Sequence, residues 1–235
     1  LLPMKSLNKS INNRLKIRIM ATSKVLIVGA SGGIATLVER ELIDNPQIEL
    51  TLLARHPERI ASDIRNDDRV KIIKADVLDY SSFLEAVKGQ DLVYANLYGR
   101  NLGEQGQSIA KAMHEAGVKR IIWISANGIY GEIPGAYGKW NEMMLGGILK
   151  AYSEGAEAIE TTNLDYTIVR PAWFSDKDEV NYEITQKGEP FKGTEVSRKS
   201  VAAYVASLII DPSQEIRSSV GINEPNTDGA KPSFY

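Results

Sequence analysis

The chain has 235 residues, a formal net charge of -2 and no cysteine. This length allows one well-buried core and is short for two full domains. The lack of cysteine excludes disulfides, thiolate metal sites and a cysteine nucleophile, and it fits the reducing cytoplasm. The two histidines, His56 and His114, are far apart in sequence, so we expect no metal site. The small net charge favours neither nucleic acid nor an anionic membrane as a partner, and no apolar run is long enough to cross a bilayer.

The first 38 residues hold six basic side chains and no acidic one. One interpretation is a basic targeting or interaction arm, although the segment lacks the compact apolar core of a secretory signal. The other interpretation is an untethered leader that is translated upstream of a start at Met20. We therefore expect a basic, disordered leader at 1–22 and a single folded domain at 23–235.

Short apolar runs alternate with amphipathic segments along the rest of the chain. The apolar runs predict strands at 24–29, 49–54, 69–75, 91–97, 120–125 and 165–170. The segments between and after them predict helices at 33–45, 57–65, 81–88, 105–116, 149–162 and 198–210. Ser81 or Ser82 is expected to cap the third helix, and Gly89 to stop it. Residues 127–140 are predicted to form a loop, and the tail after Gly221 to be irregular.

The alternation of strands and helices predicts an α/β fold. Nearly continuous apolar strands joined by helices indicate a mostly parallel sheet that is covered on both faces. Right-handed crossovers then give a doubly wound sheet, the Rossmann fold, with helices on both faces.

The most informative stretch is GASGGIA at 29–35, between the first strand and the first helix. Its glycines permit a sharp turn and leave room for a pyrophosphate, while the helix directs free amides and its dipole at an anion. The pattern predicts a dinucleotide site; the alternative is a tight β–α turn without a ligand. The predicted ligands in this turn are Gly29, Ser31, Gly32, Gly33 and Ile34.

The G-x-x-G-x-x-A spacing of this turn is one of several segments that match a known group of proteins. The others are LLAR at 52–55, KADVLD at 74–79, IIWIS at 121–125, LDYTIVRPAWF at 164–174 and VSRKSVAAYVASLI at 196–209. Together they resemble the atypical short-chain dehydrogenase/reductase group, and more narrowly its NmrA-like, NAD(P)H-binding proteins.

The end of the second strand indicates which dinucleotide binds. In this fold that position lies beside the adenosine ribose, where an acid favours NAD and a cation favours NADP. The sequence there is LARH at 53–56, and Arg55 offers a bidentate fork to a 2′-phosphate. We therefore expect NADP(H), with NAD(H) as the other possibility.

Further cofactor contacts are implied by the resemblance. Asp76 and Val77 would border the adenine, unless Asp76 is only a solvent-facing turn residue. The remaining positions are Ala95 and Asn96 along the ribose, Pro171 and Ala172 at the nicotinamide carboxamide, and Ser125.

The catalytic residues of this group are a serine at the end of the fifth strand and a tyrosine followed four residues later by a lysine. Ser125 matches the serine by position, and Tyr137 is the candidate tyrosine. No tyrosine in this chain, however, has a lysine four residues later. Without a nearby cation, a tyrosine with its ordinary pKa of about 10 is a poor general acid-base at neutral pH.

This departure leaves two function classes open. The first, which we favour, is an NADPH-dependent reductase that transfers hydride to a planar acceptor such as a flavin or quinone, with water as the proton source. The second is a non-catalytic, NAD(P)-sensing regulator of NmrA type, whose affinity for a protein partner follows the nicotinamide pool.

Substrate loops are expected at about 127–150 and 174–195. Trp173 and Phe174 would either form an apolar wall for a planar substrate or pack in the core. The first loop is apolar enough to cover a ligand or to meet a partner, through Tyr137, Trp140, Met143 and Met144. Monomer and homodimer both stay open.

Overall fold

The computed structural model describes residues 22–235, so the predicted leader lies, apart from residue 22, outside the described part of the chain. The strands are β1 (Ser23–Val28), β2 (Ile48–Ala54), β3 (Val70–Lys74), β4 (Leu92–Ala95), β5 (Arg120–Ile124), β6 (Asp165–Pro171), β7 (Trp173–Ser175), β8 (Glu183–Gln186), β9 (Glu195–Ser197) and β10 (Ser218–Asn223). The helices are α1 (Gly33–Leu42), α2 (Ser62–Arg65), α3 (Tyr80–Val87), α4 (Leu102–Ala116), α5 (Gly135–Leu145), α6 (Gly147–Glu160) and α7 (Arg198–Ile210). Across residues 22–235, every helix is too short or too polar to serve as a membrane span.

Within residues 22–235, eight strands form one sheet in the order β3-β2-β1-β4-β5-β6-β10-β8. Neighbouring strands run parallel, except for β10 and β8, which are antiparallel. The chain steps outward from β1 through β2 to β3, then returns to β4 on the other side of β1. The prediction of a doubly wound, mostly parallel sheet is therefore confirmed. The strands β7 and β9 form a separate parallel pair.

The central strands divide their side chains between two cores, one on each face of the sheet. In β1, Val25 and Ile27 belong to one core, and Leu26 and Val28 belong to the other. The two-residue period of a strand explains the alternation, and both sets are apolar because both faces are covered. Helices α1 and α7 pack on the first core and α3, α4 and α6 on the second, which confirms helices on both faces.

Two of the predicted helices differ from the observed ones. The predicted serine cap of α3 is wrong, because the helix begins at Tyr80 after Asp79. Ser82 lies inside the first turn, where its hydroxyl donates to the Asp79 carboxylate at 2.7 Å. The helix predicted at 57–65 is interrupted: a 3₁₀ turn at Pro57–Arg59 is separated from α2 by extended backbone at Ile60.

The predicted loop at 127–140 and the predicted irregular tail both contain regular structure. The loop gives way to α5 from Gly135 onward, although this glycine-rich stretch has no clear apolar stripe. The tail overlaps β10, which pairs with both β6 and β8. A Cβ on Gly221 would lie 2.6 Å from the Phe191 ring, so close tertiary packing requires glycine in a strand that has little strand-like sequence.

Candidate functional site

The carboxyl ends of the parallel strands meet at one edge of the sheet, and the strand order reverses there between β1 and β4. In open α/β sheets such a reversal leaves a crevice in which ligands bind. Gly29 follows β1 and Asn96 follows β4, and the two residues touch at the start of this crevice. Gly29 has a φ of 78°, and a Cβ at this position would overlap the carbonyl oxygen of Asn96, so only glycine fits.

The glycine turn after β1 is closed by backbone hydrogen bonds. The amides of Gly29 and Ala30 donate to the carbonyl oxygen of Leu53 at 3.0 and 3.2 Å, and the Gly32 amide donates to that of Gly29 at 3.0 Å. Gly32 is the N-cap of α1, so the helix has no side-chain cap, and its first turn carries no acidic residue. The first amides of α1 are therefore placed to bind an anion.

A cleft of about 250 Å³ opens at this turn, lined by the ends of β1 and β2 and by the segments that follow each of the first four strands. Three basic residues line it on the β2 side: Arg55, His56 and Arg59. The Arg55 side chain is 71% exposed, and its Nη1 lies 3.9 Å from Oδ2 of Asp76. Oδ1 of Asp76 accepts a hydrogen bond from the Leu78 amide at 2.9 Å. Asp76 is therefore a turn residue that also lies in the cleft.

The predicted cofactor residues fall into two groups. Those that line the cleft are Gly29, Ser31, Gly32, Arg55, Asp76, Val77 and Asn96. Those that do not line it are Gly33, Ile34, Ala95, Ser125, Pro171 and Ala172. Beyond Pro171, the Ala172 amide donates to the Ile222 carbonyl at 3.0 Å and the Trp173 amide to the Thr194 carbonyl at 3.2 Å. Both amides are thus engaged within the fold.

Several cleft residues had no recognised signal in the sequence: Arg59, Tyr98, Asn101 and Gln105. Arg59 lies four residues after Arg55, so the basic spacing after β2 was an available signal. The others come from the connection between β4 and α4 and from the first turn of that helix. There the Gln105 Nε2 donates to Asn101 Oδ1 at 2.7 Å, and no local pattern marks such a pair.

The two candidate catalytic hydroxyls, of Ser125 and Tyr137, are both buried and have different partners. The Ser125 hydroxyl donates to the Tyr152 carbonyl at 3.4 Å. The Tyr137 hydroxyl donates to the Thr194 carbonyl at 3.1 Å and accepts from Asn127 Nδ2 at 2.7 Å. Burial raises the pKa of Tyr137, and it raises the pKa of Tyr152 to about 12. The phenol proton of Tyr137 is thus committed to the fold, and its catalytic role stays a prediction.

A buried ion pair holds the loop that follows β5. Arg170 of β6 is fully buried and pairs with Glu132 of the loop. Glu132 also accepts hydrogen bonds from the amides of Gly128 and Tyr130 at 2.9 and 3.0 Å. Arg170 reaches the other way as well, where its Nε donates to the Ser219 hydroxyl of β10 at 3.0 Å. The pair therefore ties the loop to β6 and β10.

Three aromatic rings from distant segments meet just beyond the end of β6. The rings of Trp140 in α5 and Trp173 in β7 have centroids 4.9 Å apart. The Tyr235 ring packs against them at 5.2 and 5.1 Å respectively. Trp173 Nε1 donates to Asn141 Oδ1 at 2.7 Å, which fixes its indole. Both indoles are only partly buried. Trp173 therefore matches neither expectation fully: it is neither an open apolar wall nor a buried core residue.

The shape of the turn fits a dinucleotide. A Cβ on Gly32 would overlap the side-chain amide of Asn96, so the cradle stays open because positions 29 and 32 are both glycine. The cradle combines uncapped helix amides with basic side chains on the β2 side, which is the charge that a phosphorylated ligand requires.

Comparisons with known proteins agree with this geometry. A sequence model of a family described as NAD(P)H-binding matches residues 29–212. The chain is similar to a solved Rossmann-fold NAD(P)-binding family protein from Shigella flexneri, at 42% identity and a TM-score of 0.78, over 91% of this chain and 100% of that one. It is also similar to a short-chain dehydrogenase/reductase from Veillonella parvula solved in complex with NADP, at 28% identity and a TM-score of 0.84, over 90% and 99% of the two chains.

A third similarity is to the NmrA-like family domain-containing oxidoreductase FrzB from Cladobotryum sp., at 25% identity over 160 residues. The match covers 64% of this chain and 46% of FrzB, so the chain spans less than half the length of that relative. The resemblance inferred from the sequence is thereby confirmed. The matched family range includes the glycine turn that follows β1, the strand β4 and the whole of α7. This chain belongs to the NAD(P)H-binding family.

Proposed function

We propose that this chain is an NADPH-dependent reductase that transfers hydride to a small planar acceptor such as a flavin or quinone. Residues 23–235 act as one cofactor-binding domain in this proposal. The observation that carries it is the pairing of an open, basic cleft at the glycine turn with candidate catalytic hydroxyls that are already bonded within the fold.

The preference for NADPH rests on the β2 side of the cleft. The uncapped amides of α1 bind the pyrophosphate, and Arg55 and Arg59 bind the 2′-phosphate. Asp76, 3.9 Å from Arg55, steadies that guanidinium and accepts a hydrogen bond from the adenine amine. No acid stands at the tip of β2 to bind the two ribose hydroxyls of NAD. The NADP in the Veillonella relative supports the same preference.

The choice of acceptor rests on the proton supply. The chemistry that NADP(H) supplies when bound is hydride transfer. The Tyr137 phenol donates to Thr194 and has a pKa raised by burial, so it does not protonate an acceptor readily. A flavin or quinone takes its proton from water and needs no such group. The partly exposed rings of Trp140 and Trp173 offer an apolar surface against which it can pack.

A non-catalytic, NAD(P)-sensing regulator of NmrA type is the second candidate. Met143 and Met144 are 71% and 44% exposed on α5, and exposed methionines suit adaptable contacts with a protein partner. In that case the bound dinucleotide changes the affinity for the partner, and no acceptor is reduced.

The deciding experiment follows NADPH oxidation over a panel of flavins, quinones and aldehydes, with cofactor affinity titrated in parallel. We expect turnover with a flavin or quinone and none with aldehydes, because aldehyde reduction needs a positioned proton donor. Tight NADPH binding without turnover on any acceptor would contradict the reductase and support the NAD(P)-sensing regulator.

Cofactor choice is tested by titrating NADPH and NADH separately against the wild-type chain and Arg55→Ala. We expect NADPH to bind more tightly, and Arg55→Ala to weaken NADPH about tenfold or more while leaving NADH nearly unchanged. Lys71→Ala, which removes an exposed cation of β3 outside the cleft, is the control. Tighter binding of NADH by the wild-type chain would remove Arg55 from this role.

A further inference from the structure

Arg198 stands on the opposite side of the glycine turn from the basic cleft residues. It is the first residue of α7, and its side chain is 36% exposed. Its Cδ lies 3.9 Å from the position that a Cβ on Gly33 would occupy. Because Gly33 is the first residue of α1, the stem of this arginine runs alongside the uncapped end of that helix.

The Arg198 guanidinium contacts Phe174 and Asp176, both in the segment after β6. Its Cζ lies 5.2 Å from the centre of the Phe174 ring, in a cation–π contact. Its Nη1 donates to Oδ1 of Asp176 at 2.5 Å. The Asp176 side chain is 88% exposed, so this ion pair is largely in water and is weak. The Phe174 ring fixes the orientation of the guanidinium, whereas a ligand can take the place of Asp176.

The strand order assigns this arginine to one half of the crevice. Arg55 follows β2, on one side of β1, whereas Phe174 follows β6, beyond β4 and β5 on the other side. The glycine turn at 29–35 contains no cation of its own. A diphosphate bound at the turn therefore has basic residues near its adenosine half, and Arg198 is a cation beside the other half that also lies next to Gly33.

We propose that Arg198 binds the phosphate on the nicotinamide side of the pyrophosphate, and that it gives up Asp176 to do so. A guanidinium forms two parallel hydrogen bonds to a phosphate, and this is a stronger arrangement than a single bond to an exposed carboxylate. Asp176 then competes with the phosphate for Arg198. It holds the arginine in position before the cofactor binds, and it lowers the net free energy that is gained on binding. The inference rests on the proposed cofactor site.

A neighbouring ion pair supplies a matched control. Lys199 is the next residue of α7, and it pairs with Asp178 of the same loop at 2.7 Å. The Lys199 side chain is 42% exposed, close to the value for Arg198. Loss of Lys199 removes the same charge from the same helix without removing the group beside Gly33.

The test compares two ligands: NADPH, which has both phosphates of the pyrophosphate, and 2′,5′-ADP, which lacks the nicotinamide-side phosphate. Affinities are measured by calorimetric titration for the wild-type chain, Arg198→Ala, Arg198→Lys, Asp176→Asn and Lys199→Ala. We expect Arg198→Ala to weaken NADPH about tenfold and to leave 2′,5′-ADP within about twofold of the wild type. Arg198→Lys keeps the charge but loses the two-pronged guanidinium, so its affinity for NADPH is expected to lie between those of the wild type and Arg198→Ala.

Asp176→Asn leaves the arginine in place and removes its competitor, so NADPH should bind about two- to fivefold more tightly. Lys199→Ala should change neither ligand by more than about twofold. Equal weakening of both ligands by Arg198→Ala, or no weakening of NADPH, would overturn the inference. A wild-type chain that binds neither ligand would instead refute the proposed function, and the inference with it.

Discussion

The two ends of the crevice are built in different ways. At the adenosine end, the turn at 29–35 and the tip of β2 present backbone amides and exposed basic side chains to an open cleft. At the acceptor end, where we propose that the acceptor binds, α5, β7 and the last residues of the chain meet in an aromatic cluster. The polar groups there are already paired: Tyr137 bonds to Thr194, and Trp173 bonds to Asn141.

This difference separates what recognises the cofactor from what recognises the acceptor. A diphosphate is bound largely by backbone amides, and a few glycines next to a strand are enough to present them. The surface proposed for the acceptor is made of side chains, and these are brought together by packing between segments that are far apart in sequence. Variation at the acceptor end can therefore change the substrate without disturbing the cofactor.

The largest effect is expected from breaking the ion pair that holds the acceptor end. Glu132→Ala leaves the buried Arg170 guanidinium unpaired, so we expect the free energy of unfolding to fall by about 3–5 kcal/mol. Denaturant titration measures this loss. Glu85→Ala is the control, since it breaks an exposed pair with Lys88 and should cost less than about 1 kcal/mol. Similar losses for the two variants would contradict the role given to the buried pair.

The next largest effect is a pH dependence of stability that comes from α1, the helix that follows the glycine turn. Glu39 of α1 is fully buried, and within residues 22–235 neither of its carboxylate oxygens has a hydrogen-bond partner. Burial raises its pKa from 4.5 to about 8. The folded chain therefore keeps a proton that the unfolded chain releases. The contribution of Glu39 to stability is full below about pH 4.5 and is lost as the pH rises to about 8.

Glu39→Gln removes this titration. Relative to the variant, we expect the wild-type chain to lose about 1.4 kcal/mol of unfolding free energy per pH unit within that window. Urea titrations of both proteins between about pH 5 and pH 8 give the difference. Glu41→Gln, on the exposed face of the same helix, is the control. Parallel stability curves for Glu39→Gln and the wild type would show that Glu39 ionises as it does in the unfolded chain.

A smaller effect is expected from closing the cradle at the adenosine end. Gly32 has an ordinary φ of -76°, so another residue is tolerated by the backbone, but its Cβ would overlap the Asn96 side chain and occupy the cradle. We expect Gly32→Val to weaken NADPH about 10- to 100-fold in a fluorescence titration, with the fold retained. Gly147→Val is the control, because the nearest atom to a Cβ there lies 4.0 Å away. Unchanged affinity would place the pyrophosphate elsewhere.

The smallest effect is expected at the aromatic cluster. Tyr235→Ala uncovers the indoles of Trp140 and Trp173, and a ring pair of this kind contributes about 0.5–1.5 kcal/mol. We expect the KM for a flavin acceptor to fall about two- to tenfold while NADPH affinity stays constant. Phe234→Ala, whose ring contacts Tyr235, is the comparison variant. A KM that is unchanged or higher would show that the two indoles do not bind the acceptor.

Sequence patterns predicted the adenosine end better than the acceptor end. The six predicted strands and the doubly wound order were found, with ends that differ by one or two residues. Glycine at 29 and 32 and arginine at 55 lie together in the cleft, as predicted. These positions could be predicted because the strand, turn and helix that place them are local structures. The strand β10 was missed, since both its pairing with β6 and the packing of Phe191 against Gly221 join residues that are distant in the chain.

Local chemistry was thus sufficient for the alternating elements, the two-faced sheet and the turn that suits a dinucleotide, because apolar period and glycine position act within a few residues of one another. Packing across the molecule was needed to bring Arg198 beside Gly33, to bond Tyr137 to Thr194 and to place Tyr235 on two tryptophans. These contacts join residues that are from 57 to 165 positions apart. No short-range pattern encodes them, since each depends on how helices and loops settle on the finished sheet.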